Sequence, residues 1–91
     1  MRKRAEIIIK GRVQGVGYRF FAVDKAKGLN LAGYAQNKEG GDVFVVAEGE
    51  EEDIRAFLDW LKIGPQLSTV NKVITNWFDI SNCFTDFTVK Y

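Results

Sequence analysis

Residues 5–37 read AEIIIKGRVQGVGYRFFAVDKAKGLNLAGYAQN and hold, in order, a β-rich run, a glycine-bearing link, a helical stripe and a second β-rich run. The first run, residues 5–13 (AEIIIKGRV), is dense in β-branched side chains, which suit a pleated surface, and predicts a strand. A loop over Gln14 to Tyr18 follows. From about Arg19 to Lys27 the residues Ala22, Val23, Ala26 and Leu29 recur at helical spacing, with Gly28 in position to cap the helix. Residues 31–37 (LAGYAQN) return to strand character and end on Asn37.

Reading outward, residues 42–48 (DVFVVAE) predict a third strand, joined to the second by the short glycine-containing link Lys38-Glu39-Gly40-Gly41 of a hairpin. Glu50 to Lys62 places Ile54, Phe57, Leu58 and Leu61 on one helical stripe. The acidic run Glu50 to Asp53 falls at the positive end of that helix dipole, so it reads as helix chemistry and not as a metal site. Gly64-Pro65 stops the helix, residues 69–79 predict a fourth strand, and residues 84–91 a short last one after a turn around Ser81-Asn82.

The order β-α-β-β-α-β with an added strand predicts an α+β fold. It is a ferredoxin-like split βαβ sandwich, with an antiparallel sheet, two helices on one face and central strand order 4-1-3-2. In that order the first two strands end on the same side, two inter-strand steps or roughly 10 Å apart. The loop after Val13 and the side chain of Asn37 are thereby brought together.

Composition narrows the chemistry. Ninety-one residues with 46% hydrophobic content predict one domain, 1–91. Thirteen Lys plus Arg against twelve Asp plus Glu leave a net charge of +1, which provides no general field toward nucleic acid or membrane, so any anion site is local. The single cysteine, Cys83, precludes an internal disulfide and fits a cytoplasmic setting. The basic start Met1-Arg2-Lys3-Arg4 is followed only by Ile7-Ile8-Ile9, too short an apolar run for a signal peptide or a membrane span. There is no histidine. A Ser-His-Asp triad, a His-activated cysteine and a His-ligated zinc all lose their central group. An RNA-recognition sheet, which shares the element order, needs exposed aromatics on the central strands; Phe44 is the one clear candidate in the third strand, and the first has Ile and Lys there.

Two places could carry chemistry. The link Gly11 to Arg19 leads from a strand into a helix, where unpaired backbone N–H groups and the helix dipole favour an anion, and Gly15 and Gly17 allow close backbone approach. No Lys-Ser/Thr follows the glycines, so it is not a Walker loop. A tight turn with a solvated Arg19 fits the same residues. A cation is nonetheless unfavourable at a helix N-terminus, which points to Arg19 meeting an anion there. Asn37, closing a strand before a turn, fits an ordinary turn residue as well as a ligand.

Gly11-x-Val13-Gln14-Gly15-Val16-x-Tyr18-Arg19 resembles the first signature of the acylphosphatase family, and Gly33-Tyr34-Ala35-Gln36-Asn37-x-x-x-Gly41-x-Val43 resembles the second. Gly49, Gly64-Pro65 and the ending Phe87-x-Val89-x-Tyr91 extend the resemblance over essentially the whole chain; Tyr18, where many members have Phe, and Lys38-Glu39-Gly40 are mild departures. The resemblance implies two catalytic residues, Arg19 holding the phosphoryl group and Asn37 orienting water. It makes the backbone of Gln14, Gly15, Val16, Gly17, Tyr18 and Arg19 the phosphate cradle; the side chains of Gln14 and Tyr18 read as scaffold, because such side chains beside a loop often satisfy its backbone, with direct ligands as the alternative. It implies hydrolysis of small-molecule acyl phosphates to a carboxylate and inorganic phosphate, the latter also a competitive inhibitor. No metal, cofactor, nucleic-acid or membrane partner is expected, and a monomer is. A phosphate-binding or regulatory module without turnover is the alternative. The last strand is expected either to bring the free carboxylate of Tyr91 beside Arg19 or to end as an ordinary edge strand whose terminal tyrosine merely packs.

Overall fold

In the computed structural model, which describes residues 1–91, the first strand, β1 (Arg2–Arg12), buries Ala5, Ile7 and Ile9 and turns the residues between them to the other face. This follows from the two-residue period of a strand. The helix α1 (Tyr18–Gly28) comes next, then β2 (Ala32–Asn37), β3 (Val43–Glu50), the helix α2 (Glu51–Ile63), β4 (Thr69–Phe78) and β5 (Phe87–Lys90). The sheet order is β4-β1-β3-β2-β5, so the four central strands follow the expected 4-1-3-2 arrangement.

Both helices cover the face that carries Ile7, Ile9, Ala35, Val43 and Val45, and together they close one apolar cluster. α2 contributes Ile54, Phe57, Leu58 and Leu61, the stripe read from its spacing, and α1 contributes Tyr18, Ala22 and Ala26. α1 lies over β2 and β5, α2 over β1, β3 and β4. At the end of α1, Gly28 is the last helical residue and Leu29 the cap. Asn30 takes the left-handed turn at φ 58°, a conformation asparagine tolerates better than most residues. No helix is long and apolar enough to cross a membrane.

The sheet is not wholly antiparallel. β5 pairs parallel with β2, Gly33 opposite Phe87 and Gln36 opposite Lys90, at the edge farthest from β4. Ser81 and Asn82 form no tight turn, although β5 does run back opposite to β4. Instead, the segment 79–86 crosses the face opposite the helices. There the buried carboxylate of Glu48 on β3 accepts the backbone N–H groups of Ser81 and Asn82, at 2.9 and 3.1 Å, together with the Ser81 hydroxyl, and Arg4 Nη1 lies 3.4 Å away. Farther along, Phe84 packs edge-on against Tyr34 of β2 with ring centroids 5.9 Å apart. Phe87 supplies the reason for the crossing. It is fully buried against Phe57, centroids 5.7 Å apart, at a place that only a strand beside β2 and under α1 can reach. Burying a side chain of that size contributes about 1.5–3 kcal/mol.

Candidate active site

The turn from β1 into α1 is built on two left-handed glycines, Gly15 at φ 73° and Gly17 at φ 79°. A Cβ at either would meet no atom within 4 Å, so backbone conformation, not crowding, requires glycine there. Gly17 is also the N-cap of α1, and no side chain caps the helix. The N–H groups of residues 14–17 donate to no backbone carbonyl; the first amide of this region to do so is that of Phe21, to Gly17 at 3.1 Å. A row of backbone donors thus opens on the positive end of a helix dipole, an arrangement suited to an anion.

Gln14 fastens this turn to the neighbouring hairpin. Its Nε2 donates to the carbonyls of Lys38, at 2.8 Å, and Asp42, at 2.9 Å, the residues that flank the β2–β3 connection just after Asn37. The distance between turn and Asn37 is therefore set by a side chain and not by the sheet alone. Tyr18 turns inward and donates its hydroxyl to the Leu61 carbonyl at 2.6 Å, which ties α1 to α2. Burial pushes its phenol well above the usual tyrosine range, so it stays protonated and a donor. Both side chains are engaged in scaffolding.

Arg19, in the first turn of α1, makes no ion pair with any carboxylate of the chain. Its guanidinium lies over the ring of Tyr91, 4.9 Å from the centroid. The last strand does bring Tyr91 to the site end, because parallel pairing with β2 carries it in the direction of Asn37. The contact differs from the expected one: the aromatic face, not the terminal carboxylate, meets the guanidinium. Stacking restrains the orientation of Arg19 while leaving its charge without a counter-ion.

Asn37 closes β2 opposite Val43, and its Oδ1 is buried without a hydrogen-bond partner. It is the one such side-chain atom in the molecule. Leaving a buried acceptor unmatched costs about 1–3 kcal/mol, and such atoms are rare unless something outside the chain is bound by them. A pocket of about 220 Å³ brings Asn37 together with Gly15, Gly17 and Arg19, its walls completed by Val13, Tyr18 and Phe20. A larger, more open hollow of about 480 Å³, between Arg2, Lys27 and Asp86, holds neither Arg19 nor Asn37. Nowhere do three His, Cys, Asp or Glu side chains converge.

The features missed from the sequence are tertiary. Phe20 as a pocket wall was indicated only by its position off the apolar stripe of α1, and the double hydrogen bond of Gln14 left no sequence signal.

Residues 5–89 match the acylphosphatase family model. The chain belongs to the acylphosphatase family. It is 49% identical to the acylphosphatase of Methanococcoides burtonii over 94% of this chain and 90% of that one, and 53% identical to the acylphosphatase of Thermus thermophilus over 81% and 84%. Its fold superposes on the crystal structure of acylphosphatase from Bacillus subtilis with a TM-score of 0.95 and 33% identity over the whole of both chains. The family's ferredoxin-like α+β fold is the one observed, with the mixed five-stranded sheet. Membership makes the protein a hydrolase of the acylphosphatase class, not a phosphate-binding module without turnover.

Proposed function

We propose that the chain, as a single domain spanning 1–91, hydrolyses small acyl phosphates by in-line attack of water without a metal ion or cofactor. Arg19 and Asn37 are its catalytic residues, and the backbone of residues 14–19 is its phosphate cradle. The supporting observation is the pairing of an uncompensated guanidinium with a buried, unmatched amide oxygen in one small pocket floored by left-handed glycines. The cradle N–H groups and Arg19 bind the phosphoryl oxygens, with the planar guanidinium able to meet two of them at once. Asn37 Oδ1 accepts a hydrogen bond from the attacking water and aims its oxygen at phosphorus.

The reaction asks little more of the protein. The water oxygen forms the new P–O bond as the bond to the acyl oxygen breaks, and the electron pair leaves on a carboxylate whose conjugate acid has a pKa of about 4. No general acid is needed at neutral pH. The water's proton passes to a phosphoryl oxygen or to the departing carboxylate, both within the reacting molecule. Positioning and charge stabilisation account for the catalysis, as phosphoryl transfer through a loose transition state requires. A cytoplasmic monomer acting on a free small molecule, with inorganic phosphate competing for the cradle and no nucleic acid bound, fits the near-neutral charge and the single exposed cysteine.

The test measures phosphate release from acetyl phosphate, benzoyl phosphate and a phosphate monoester, with and without exhaustive chelation. Turnover of both acyl phosphates, a nearly inert monoester and indifference to chelation are expected. Equal turnover of the monoester, or activity restored only by a divalent ion, would refute the proposal.

A further inference from the structure

Phe20 is the one exposed large apolar residue of α1. It is 62% exposed, whereas Tyr18, two residues earlier and roughly 200° away around the helix, is only 1% exposed. A lone exposed apolar side chain needs no explanation. This one, however, forms a wall of the pocket that holds Arg19 and Asn37.

In-line displacement fixes where the leaving group points, since the attacking oxygen and the departing oxygen lie on opposite sides of phosphorus. Asn37 Oδ1, which aims the water, is on the buried side of the pocket. The acyl group therefore departs through the exposed mouth. Val13 and Tyr18 are buried below that mouth, and Gly15 and Gly17 offer no side chain. Among the residues lining the pocket, Phe20 is the apolar surface left exposed for an acyl group to touch, the Tyr91 ring being held against Arg19.

We propose that Phe20 is a specificity-determining residue that contacts the acyl group of the substrate and favours acyl phosphates bearing an aromatic ring or an extended apolar chain over acetyl phosphate. This rests on the hydrolysis proposed above. An acetyl group is too short to cover the ring, whereas a benzoyl group stacks on it or meets it edge to face, a contact that changes the rate by about fivefold.

The experiment compares kcat/KM for benzoyl phosphate and acetyl phosphate in the full chain and in its Phe20→Ala, Phe20→Leu and Phe20→Tyr variants. The wild-type chain is expected to prefer benzoyl phosphate. Phe20→Ala should lower the benzoyl-to-acetyl ratio by about fivefold, Phe20→Leu should lower it by less, and Phe20→Tyr should keep it. Circular dichroism verifies that each variant is folded, and Phe20→Leu preserves the test if the alanine variant is not. Hydrolysis of both substrates with an unchanged ratio, or an equal fall for both, overturns the assignment of Phe20 alone. Hydrolysis of neither by the wild-type chain removes the reading beneath it, and this inference with it.

Discussion

Replacing Asn37 with alanine should separate stability from catalysis. The side chain carries a buried oxygen with no partner, so truncation removes an unmatched acceptor and no hydrogen bond to that atom is broken. Relief of that desolvation is favourable by about 1–3 kcal/mol when the oxygen is dry and by close to nothing when it holds a water. The lost packing of a group this small costs about 1 kcal/mol, so the change in stability should lie between a loss of about 1 kcal/mol and a gain of about 2 kcal/mol. For a domain of this size each kcal/mol moves the melting temperature by roughly 4–8 °C. Turnover, by contrast, should fall on the order of a hundredfold, as it does when one preorganised polar contact to a reacting group is lost. The affinity for inorganic phosphate should be little changed, because the cradle and Arg19 are untouched. Calorimetric melting, steady-state phosphate release and phosphate inhibition read the three quantities. A melting temperature lowered by more than about 8 °C with turnover intact would show that Asn37 supports the hairpin and not the chemistry.

Arg19→Lys keeps a positive charge but loses the planar fork and the stack on Tyr91, and should raise KM and cut kcat together; near-normal kinetics would remove Arg19 from the proposed role. Gln14→Ala breaks two hydrogen bonds at the edge of the site and should destabilise the fold by about 1–2 kcal/mol in urea titrations. Its turnover should fall through a loosened cradle, and a raised phosphate inhibition constant at unchanged stability would instead make the Gln14 side chain a direct ligand. Glu48→Gln should lower stability at pH 7. Burial raises the Glu48 pKa, but the hydrogen bonds from Ser81 and Arg4 together outweigh it and leave the folded value below 4.5. A carboxylate depressed on folding contributes fully above its unfolded pKa and loses that contribution as pH falls through the folded value. The gap between wild type and Glu48→Gln should therefore be constant near neutrality and close as the pH drops below 4.5, and a gap independent of pH would contradict the anchoring role.

Much of the fold was legible because its elements are locally consistent. The first strand is dense in β-branched isoleucine, the stripe of α2 keeps its spacing, and the β2–β3 link has its glycines, so propensity and burial agree. The crossing segment was not legible. Ser81 and Asn82 read as a turn because such side chains often bond nearby backbone, whereas here their amides reach a carboxylate on a distant strand. Glu48 gave no warning either. It falls in the outward phase of β3, after Phe44 and Val46, and only the chain laid across that face makes it buried. At the candidate site, the convergence of the β1–α1 turn with Asn37 followed from strand order, and Arg19 stood out as a cation at the wrong end of a dipole. That the Tyr91 ring would take the place expected for a carboxylate depends on where β5 ends, which no local pattern specifies.

The parallel pairing of β5 with β2 also bears on the order in which the molecule is completed. Every hydrogen bond between them closes a loop containing β3, α2 and β4, the most costly kind of contact to form early in folding. A chain emerging from the ribosome can form the glycine turn, α1 and the β2–β3 hairpin well before Tyr91 is available to stack on Arg19. On the proposed mechanism, enzymatic competence is thus a late event in the life of the nascent chain. A partly synthesised or frayed molecule holds the proposed cradle without the ring that steadies its arginine, so regain of activity should lag behind regain of helix when the unfolded protein is returned to native conditions.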